Sequence, residues 1–310
     1  SADRGLGEAF EGLAGLYGSG LLTRYWNGHP DCAGFSPKFG DTLIVVGNGN
    51  VSMDVVRLLA KGAGDFEGSD FDPAHVTAGI RQIHIVGRSP AERAKFDSVM
   101  VRELGKIPGL AIDVDARSTV PEVEGDKRLA ALMDITAQEK PEAETTLTFH
   151  FDWHVDQPVK EAGRLTGMRF KRGAETLTLP CTSAVTAIGY DDEGTLDRAE
   201  LFGGAAIHET GRIAPGLYAT GWFKRGPTGT IPENRADAQA VASLIAEDAG
   251  PSGKPGRAAL QDALGDQIIT YEDWQAVDAA ECQAAPPGRC RQKITSRDAM
   301  LAVIAERRAP

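Results

Sequence analysis

The chain of 310 residues is 42% apolar and 25% charged, with a formal net charge of −11, and that length accommodates two domains, each with its own core. The acidic balance argues against nucleic acid or an anionic membrane as the main partner. No stretch approaches the ~20 apolar residues of a membrane span and no charged-then-apolar leader opens the chain, so the sequence reads as cytoplasmic unless a leader was removed.

In chain order, residues 15–20 hold three glycines with no buried strand before them, and read as a linker. Thr42–Val46 is a continuous apolar, β-branched run closing on Gly47, the pattern of a buried parallel strand. Helical spacing follows through Val51, Val55, Leu58 and Leu59, and residues 62–73, rich in Gly, Asp and Pro, read as an exposed loop. Gln82–Val86 is a second buried strand, completing a strand–helix–strand unit. Residues 147–151, 165–170 and 175–179 alternate like strands with one wet face. Further strands are predicted at 185–190 and 217–220, then a loop at 251–256 and two terminal helices. Those helices carry capping-box starts at Thr270…Asp273 and Thr295…Asp298. The four cysteines, Cys32, Cys181, Cys282 and Cys290, form no C-x-x-C pair and no cluster. They read as free thiols, with no metal site.

Two motifs carry chemistry. Gly47-Asn48-Gly49-Asn50-Val51-Ser52 occupies the first strand-to-helix turn and matches a dinucleotide fingerprint with a small third residue. The second strand ends on Gly87-Arg88-Ser89 with no carboxylate before Glu92, which favours the 2′-phosphate of NADP over the 2′-hydroxyl of NAD. The second motif is Gly221-Trp222-Phe223-Lys224-Arg225-Gly226-Pro227-Thr228-Gly229-Thr230-Ile231, followed by apolar residues at helical spacing from Ala236 to Ile245. A glycine turn feeding a helix start presents free N–H groups to a phosphate or to the electron-rich edge of a flavin.

These runs, together with Tyr25-Trp26-Asn27-Gly28, Arg102-Glu103-Leu104, Ile188-Gly189-Tyr190 and Asp273-Trp274, resemble the adrenodoxin-reductase family of ferredoxin–NADP reductases over nearly the whole chain. The resemblance implies hydride transfer between NADP(H) and FAD, then single-electron exchange with a ferredoxin-like iron–sulfur protein. By position it implies that Gly47, Gly49, Asn50 and Val51 cradle the NADP pyrophosphate and that Arg88 binds the 2′-phosphate. Glu103 would sit near the nicotinamide and Asp54 would assist proton balance. Trp222 would lie beside the flavin ring, with the backbone of Gly229, Thr230 and Ile231 at its pyrimidine edge.

The chain departs from the family pattern in three places. Ser89 stands where a second arginine is usual, with Arg93 or Lys95 as partial substitutes. The docking region keeps Lys127 and Arg128 among three acidic residues, as a remnant of a basic patch or as solvated charges. The amino-terminal FAD fingerprint is not found, so the chain is expected to lack the first half of the FAD domain. The expected fold is α/β. It comprises a Rossmann-like NADP-binding domain with a parallel sheet at 1–190, and the carboxy-terminal portion of an FAD-binding α/β domain at 191–310. The alternative is a noncatalytic NADP-binding module that needs a separate FAD-bearing partner.

Overall fold

The computed structural model describes residues 2–72, 79–191, 198–202, 210–226, 231–250 and 253–309. Its residues group into two compact units, one of Asp3–Ile188 with Tyr271–Pro310, the other of Gly189–Thr270 with Ser1–Ala2. The two terminal helices group with the larger unit.

The larger unit runs β1 (Leu16–Gly18), α1 (Ser19–Trp26), β2 (Thr42–Val46), α2 (Asn50–Leu59), β3 (Gln82–Val86), α3 (Ser98–Gly105), β4 (Leu110–Val114), α4 (Lys127–Thr136) and β5 (Thr145–His150). It continues through β6 (His154–Glu161), β7 (Arg164–Arg172), β8 (Glu175–Pro180) and β9 (Ser183–Thr186). Six strands form a parallel sheet in the order β1-β9-β2-β3-β5-β4. The linker expected at 15–20 is therefore an edge strand and the start of a helix. Two backbone N–H groups of that helix start, on Gly20 and Leu21, donate to the Asp3 carboxylate at 2.6 and 2.9 Å. The carboxylate supplies the cap that the glycines lack.

Both faces of the sheet are covered, and this explains the continuous apolar runs. Leu43, Val45, Ile83, Ile85, Leu147 and Phe149 pack under the helices with Met53, Leu104 and Leu132. Ile44, Val46, Val86 and Ala184 face the antiparallel β6-β7-β8 sheet through Met168, Phe170 and Leu177. Each such fully buried aliphatic side chain contributes about 1.5–3 kcal/mol. The strand at 145–150 alternates as expected, with Thr146 exposed and Leu147 buried, but it lies inside the parallel sheet between β3 and β4.

The segment read as an exposed loop at 62–73 is tied down where it is described. Phe66 is buried and stacks on Phe71 with ring centroids 5.7 Å apart. Gly68 N–H donates to the Gly288 carbonyl at 2.7 Å, and Asp70 pairs with Lys293 at 2.8 Å. The second unit contains α5 (Arg198–Phe202), a hairpin of β10 (Arg212–Ala214) and β11 (Leu217–Tyr218), α6 (Gly221–Arg225), α7 (Ile231–Asp248) and α8 (Arg257–Leu264). Back in the larger unit are α9 (Tyr271–Gln283) and α10 (Arg297–Arg308). Asp273, fully buried, accepts from Arg307 at 2.9 Å and Arg308 at 3.0 Å, joining the two helices. The second cap sits one residue later than expected: Ser296, not Thr295, accepts from Ala299 N–H. No helix among the described residues is long and apolar enough to cross a membrane.

Candidate dinucleotide site and the tryptophan helix

The carboxyl ends of β2 and β3 lie side by side, Val46 opposite Val86, which brings the Gly47–Val51 turn and Arg88 to one edge. Gly47 has φ +120°, and a Cβ built on it would stand 2.4 Å from the Ala187 carbonyl oxygen, so only glycine fits. Gly49 serves differently. It is the N-cap of α2, no side chain caps that helix end, and the space where its Cβ would lie is empty to 4 Å. The first-turn N–H groups at Asn50 and Val51 have no intrahelical acceptor and carry the positive end of the helix dipole. Ser52 is fully buried, as close helix–sheet packing requires.

Arg88 is exposed and follows Gly87, whose own Cβ would collide with the Asn48 side chain at 2.3 Å. The loop after it is held on several sides. Asp152 N–H donates to Ser89 O at 3.1 Å and Lys95 N–H to Asn48 O at 3.2 Å. Asn50 Oδ1 accepts from Asp97 N–H at 2.7 Å. From the start of α4, the Arg128 guanidinium donates to the Ala94 carbonyl and, at 3.1 Å, to the Glu92 carbonyl. Its remaining hydrogen bonds go to Asp126, at 2.7 and 3.2 Å. Arg93 and Lys95 are exposed on this loop.

The expected docking pair thus divides. Lys127 is exposed, whereas Arg128 is neither a solvated charge nor an open patch, because the loop carbonyls and Asp126 occupy its donors. Asp54 lies on α2 one turn beyond Asn50 and pairs with Arg57 at 2.8 Å; burial raises its carboxyl above the ordinary range, against the pull of Arg57. Glu103 on α3 pairs with Lys106 at 2.5 Å, and that hydrogen bond lowers its pKa. Its other cationic neighbours are Arg57 and Lys61, toward the far end of α2 from the glycine turn.

In the second unit, Trp222 is 50% exposed on the short helix α6. Gly229 and Thr230 lie outside the described residues, and Ile231 opens α7. Sequence reasoning missed the residue that organises this region. Asp237 on α7 accepts from Gly221 N–H at 2.7 Å, Thr220 Oγ1 at 3.0 Å and the buried Lys224 ammonium at 2.5 Å. Burial opposes ionisation, but the hydrogen bonds prevail and hold its pKa at about 2. Its only sequence signal is an acid in the first half of a helix that follows two basic residues. Among the described residues no group of three or more His, Cys, Asp or Glu is placed to hold a metal, and all four cysteines are free.

No family model matches the chain. Cindoxin reductase of Citrobacter braakii is 38% identical over 316 residues, which span 97% of this chain and 70% of that protein. The mitochondrial NADPH:adrenodoxin oxidoreductase of Bos taurus is 28% identical over 345 residues, covering 95% of this chain and 70% of its own. Among solved structures, Mycobacterium tuberculosis FprA in complex with NADPH superposes with a TM-score of 0.84 at 26% identity, over 98% of this chain and 76% of that one.

Proposed function

The chain belongs to the adrenodoxin-reductase-like family of ferredoxin–NADP reductases, and from that premise we propose how its own residues serve an NADP-dependent flavin oxidoreductase that passes electrons to an iron–sulfur protein. The observation that carries the reading is the adjacency of an uncapped helix start, open above Gly49, and an exposed arginine at the end of the neighbouring strand. The N–H groups of Gly49, Asn50 and Val51 would bind the NADP pyrophosphate without a side chain in the way. Arg88 would bind the 2′-phosphate through its planar fork.

These residues fit the dinucleotide: the cradle is empty where Gly49 lacks a Cβ, and the turn offers donors and no carboxylate. Bound FAD supplies the chemistry of taking two electrons together and releasing them singly. Trp222 and the backbone N–H groups of 229–231 would hold its ring. Asp237 fixes the start of α6 through Gly221 and Lys224. Asp54 and Glu103, each engaged by a cation on its own helix or at its end, would act as electrostatic neighbours, and no proton step is assigned to them.

Titration with NADPH and NADH tests the clamp. Loss of a charge-assisted hydrogen bond costs ~1.5–3 kcal/mol, so Arg88→Ala weakens NADPH binding about tenfold to a hundredfold and leaves NADH binding nearly unchanged. Equal losses for the two cofactors would remove Arg88 from this role.

A further inference from the structure

We infer that Arg128 is a positioning residue for recognition of the 2′-phosphate. It fixes the 88–95 loop from the side that the glycine turn does not reach. The inference rests on the reading of Arg88 given above. Three anchors hold the loop from the sheet side. These are the Gly87 carbonyl to Trp153 N–H at 3.0 Å, Ser89 O to Asp152 N–H, and Asn48 O to Lys95 N–H. They leave the stretch between Pro90 and Lys95 without an anchor on its outer side. Ala91 and Ala94 are buried there, so the chain is pinned inward, and the carbonyl of buried Ala94 needs a donor.

A single planar guanidinium meets the carbonyls of Glu92 and Ala94 and is itself held by Asp126 through two of its nitrogens. Asp126 is fixed in turn, because it caps α4 by accepting from Arg128 N–H at 2.9 Å and Leu129 N–H at 3.3 Å. The hydrogen bond to Arg128 keeps that carboxylate ionised, lowering its pKa. The loop that presents Arg88, Arg93 and Lys95 is thereby registered against the start of a separate helix. Only a rigid presentation lets one arginine discriminate a phosphate from a hydroxyl where the second arginine of the pattern is Ser89. Lysine cannot replace Arg128, because an ammonium is a point donor without the fork that spans two carbonyls and a carboxylate.

The test is the ratio of dissociation constants for NAD⁺ and NADP⁺, measured on the full chain with Arg88→Ala, Arg128→Ala and Arg128→Lys. A change of general stability moves both constants together, whereas loop register moves the ratio. Arg128→Ala should lower the preference for NADP⁺ about tenfold, and Arg128→Lys should recover less than half of that loss. Faster amide exchange at Ala91–Lys95 should accompany the change, and this readout applies even where the alanine variant folds poorly and only the lysine variant is tractable. Full recovery by lysine would mean that long-range charge suffices, and the proposal falls. An unchanged ratio in Arg128→Ala, with a collapsed one in Arg88→Ala, overturns the positioning role while leaving the Arg88 reading intact. If Arg88→Ala itself leaves the ratio unchanged, both readings fail together.

Discussion

At the residue scale, two glycines two positions apart in the chain illustrate how one motif serves two physical ends. Gly47 is confined by φ +120° and by the Ala187 carbonyl, so Gly47→Ala strains the backbone and pushes apart β2 and the chain leaving β9. The expected cost is at least about 2 kcal/mol, read as a lower urea midpoint. Gly49 has extended backbone at φ −102° and empty space above it. Gly49→Ala should therefore cost only the N-cap penalty of alanine against glycine, about 1 kcal/mol or less in unfolding free energy, and weaken NADPH binding, since its methyl enters the cradle. Comparable destabilisation by both substitutions would contradict this division. Thiols divide on the same principle. Burial pushes Cys181 up to about 12 and Cys32 is also buried, whereas Cys282 and Cys290 are exposed. A thiol reagent at pH 8 should modify two cysteines in the native protein and all four after unfolding.

At the scale of elements, legibility in the sequence followed from how local the cause was. Thr42–Val46 and Gln82–Val86 were readable because burial on both faces writes an unbroken apolar run closed by glycine. Leu16–Gly18 was not, because three residues holding a glycine become a strand only through pairing with residues 184–186. Leu110–Val114 was missed for a similar reason: Asp113 interrupts a run whose strand character comes from its neighbour β5. That the glycine turn and Arg88 share one sheet edge was legible because strand, turn and strand end are consecutive in sequence. Arg128 and Asp237 were not, since each acts on a segment that only folding brings to it. Asp237 carries the clearest element-scale prediction. Its folded pKa of about 2 lies below the unfolded value of 3.8, so its stabilisation is present above pH 4 and is lost as pH falls toward 2. Asp237→Asn should cost of order 2 kcal/mol at pH 7. It should also remove the Asp237 share of the acid dependence of the 189–270 unit, as followed by Trp222 fluorescence, leaving the share of Asp248, whose pKa is lowered by hydrogen bonds from Arg212 and Tyr218. An acid dependence in the variant undiminished from that of the parent would exclude Asp237 as a source.

At the scale of the whole molecule, the two units are expected to yield to acid in different windows, because the groups that titrate within them are shifted in different ways. The larger unit holds a histidine pair in its central sheet, buried His150 and half-buried His84, with His84 Nδ1 3.1 Å from His150 Nε2. Asp115 stands 3.7 Å from His150 on the other side, but it is also engaged by Arg117 at 3.2 Å. Burial first, and then the charge of His84, pushes His150 down from 6.5 to about 4; burial lowers His84 as well, with Asp115 opposing. Below pH 6.5 the unfolded chain takes up a proton that the folded sheet refuses until about pH 4. The unfolded state therefore binds more protons across that window, and stability falls as pH falls through it. For His150 alone the loss reaches of order 3 kcal/mol by pH 4 and then levels off. The unit held by Asp237 is unaffected by that residue until pH drops below 4. In a Trp222→Phe background the remaining tryptophans, Trp26, Trp153 and Trp274, all belong to the larger unit. Their urea midpoint should decline steadily between pH 6.5 and 4.5, and His150→Gln should flatten most of that decline. A midpoint that stays level or rises over this range in the parent would show that the pair is protonated in the folded sheet, reversing the sign of its linkage to folding.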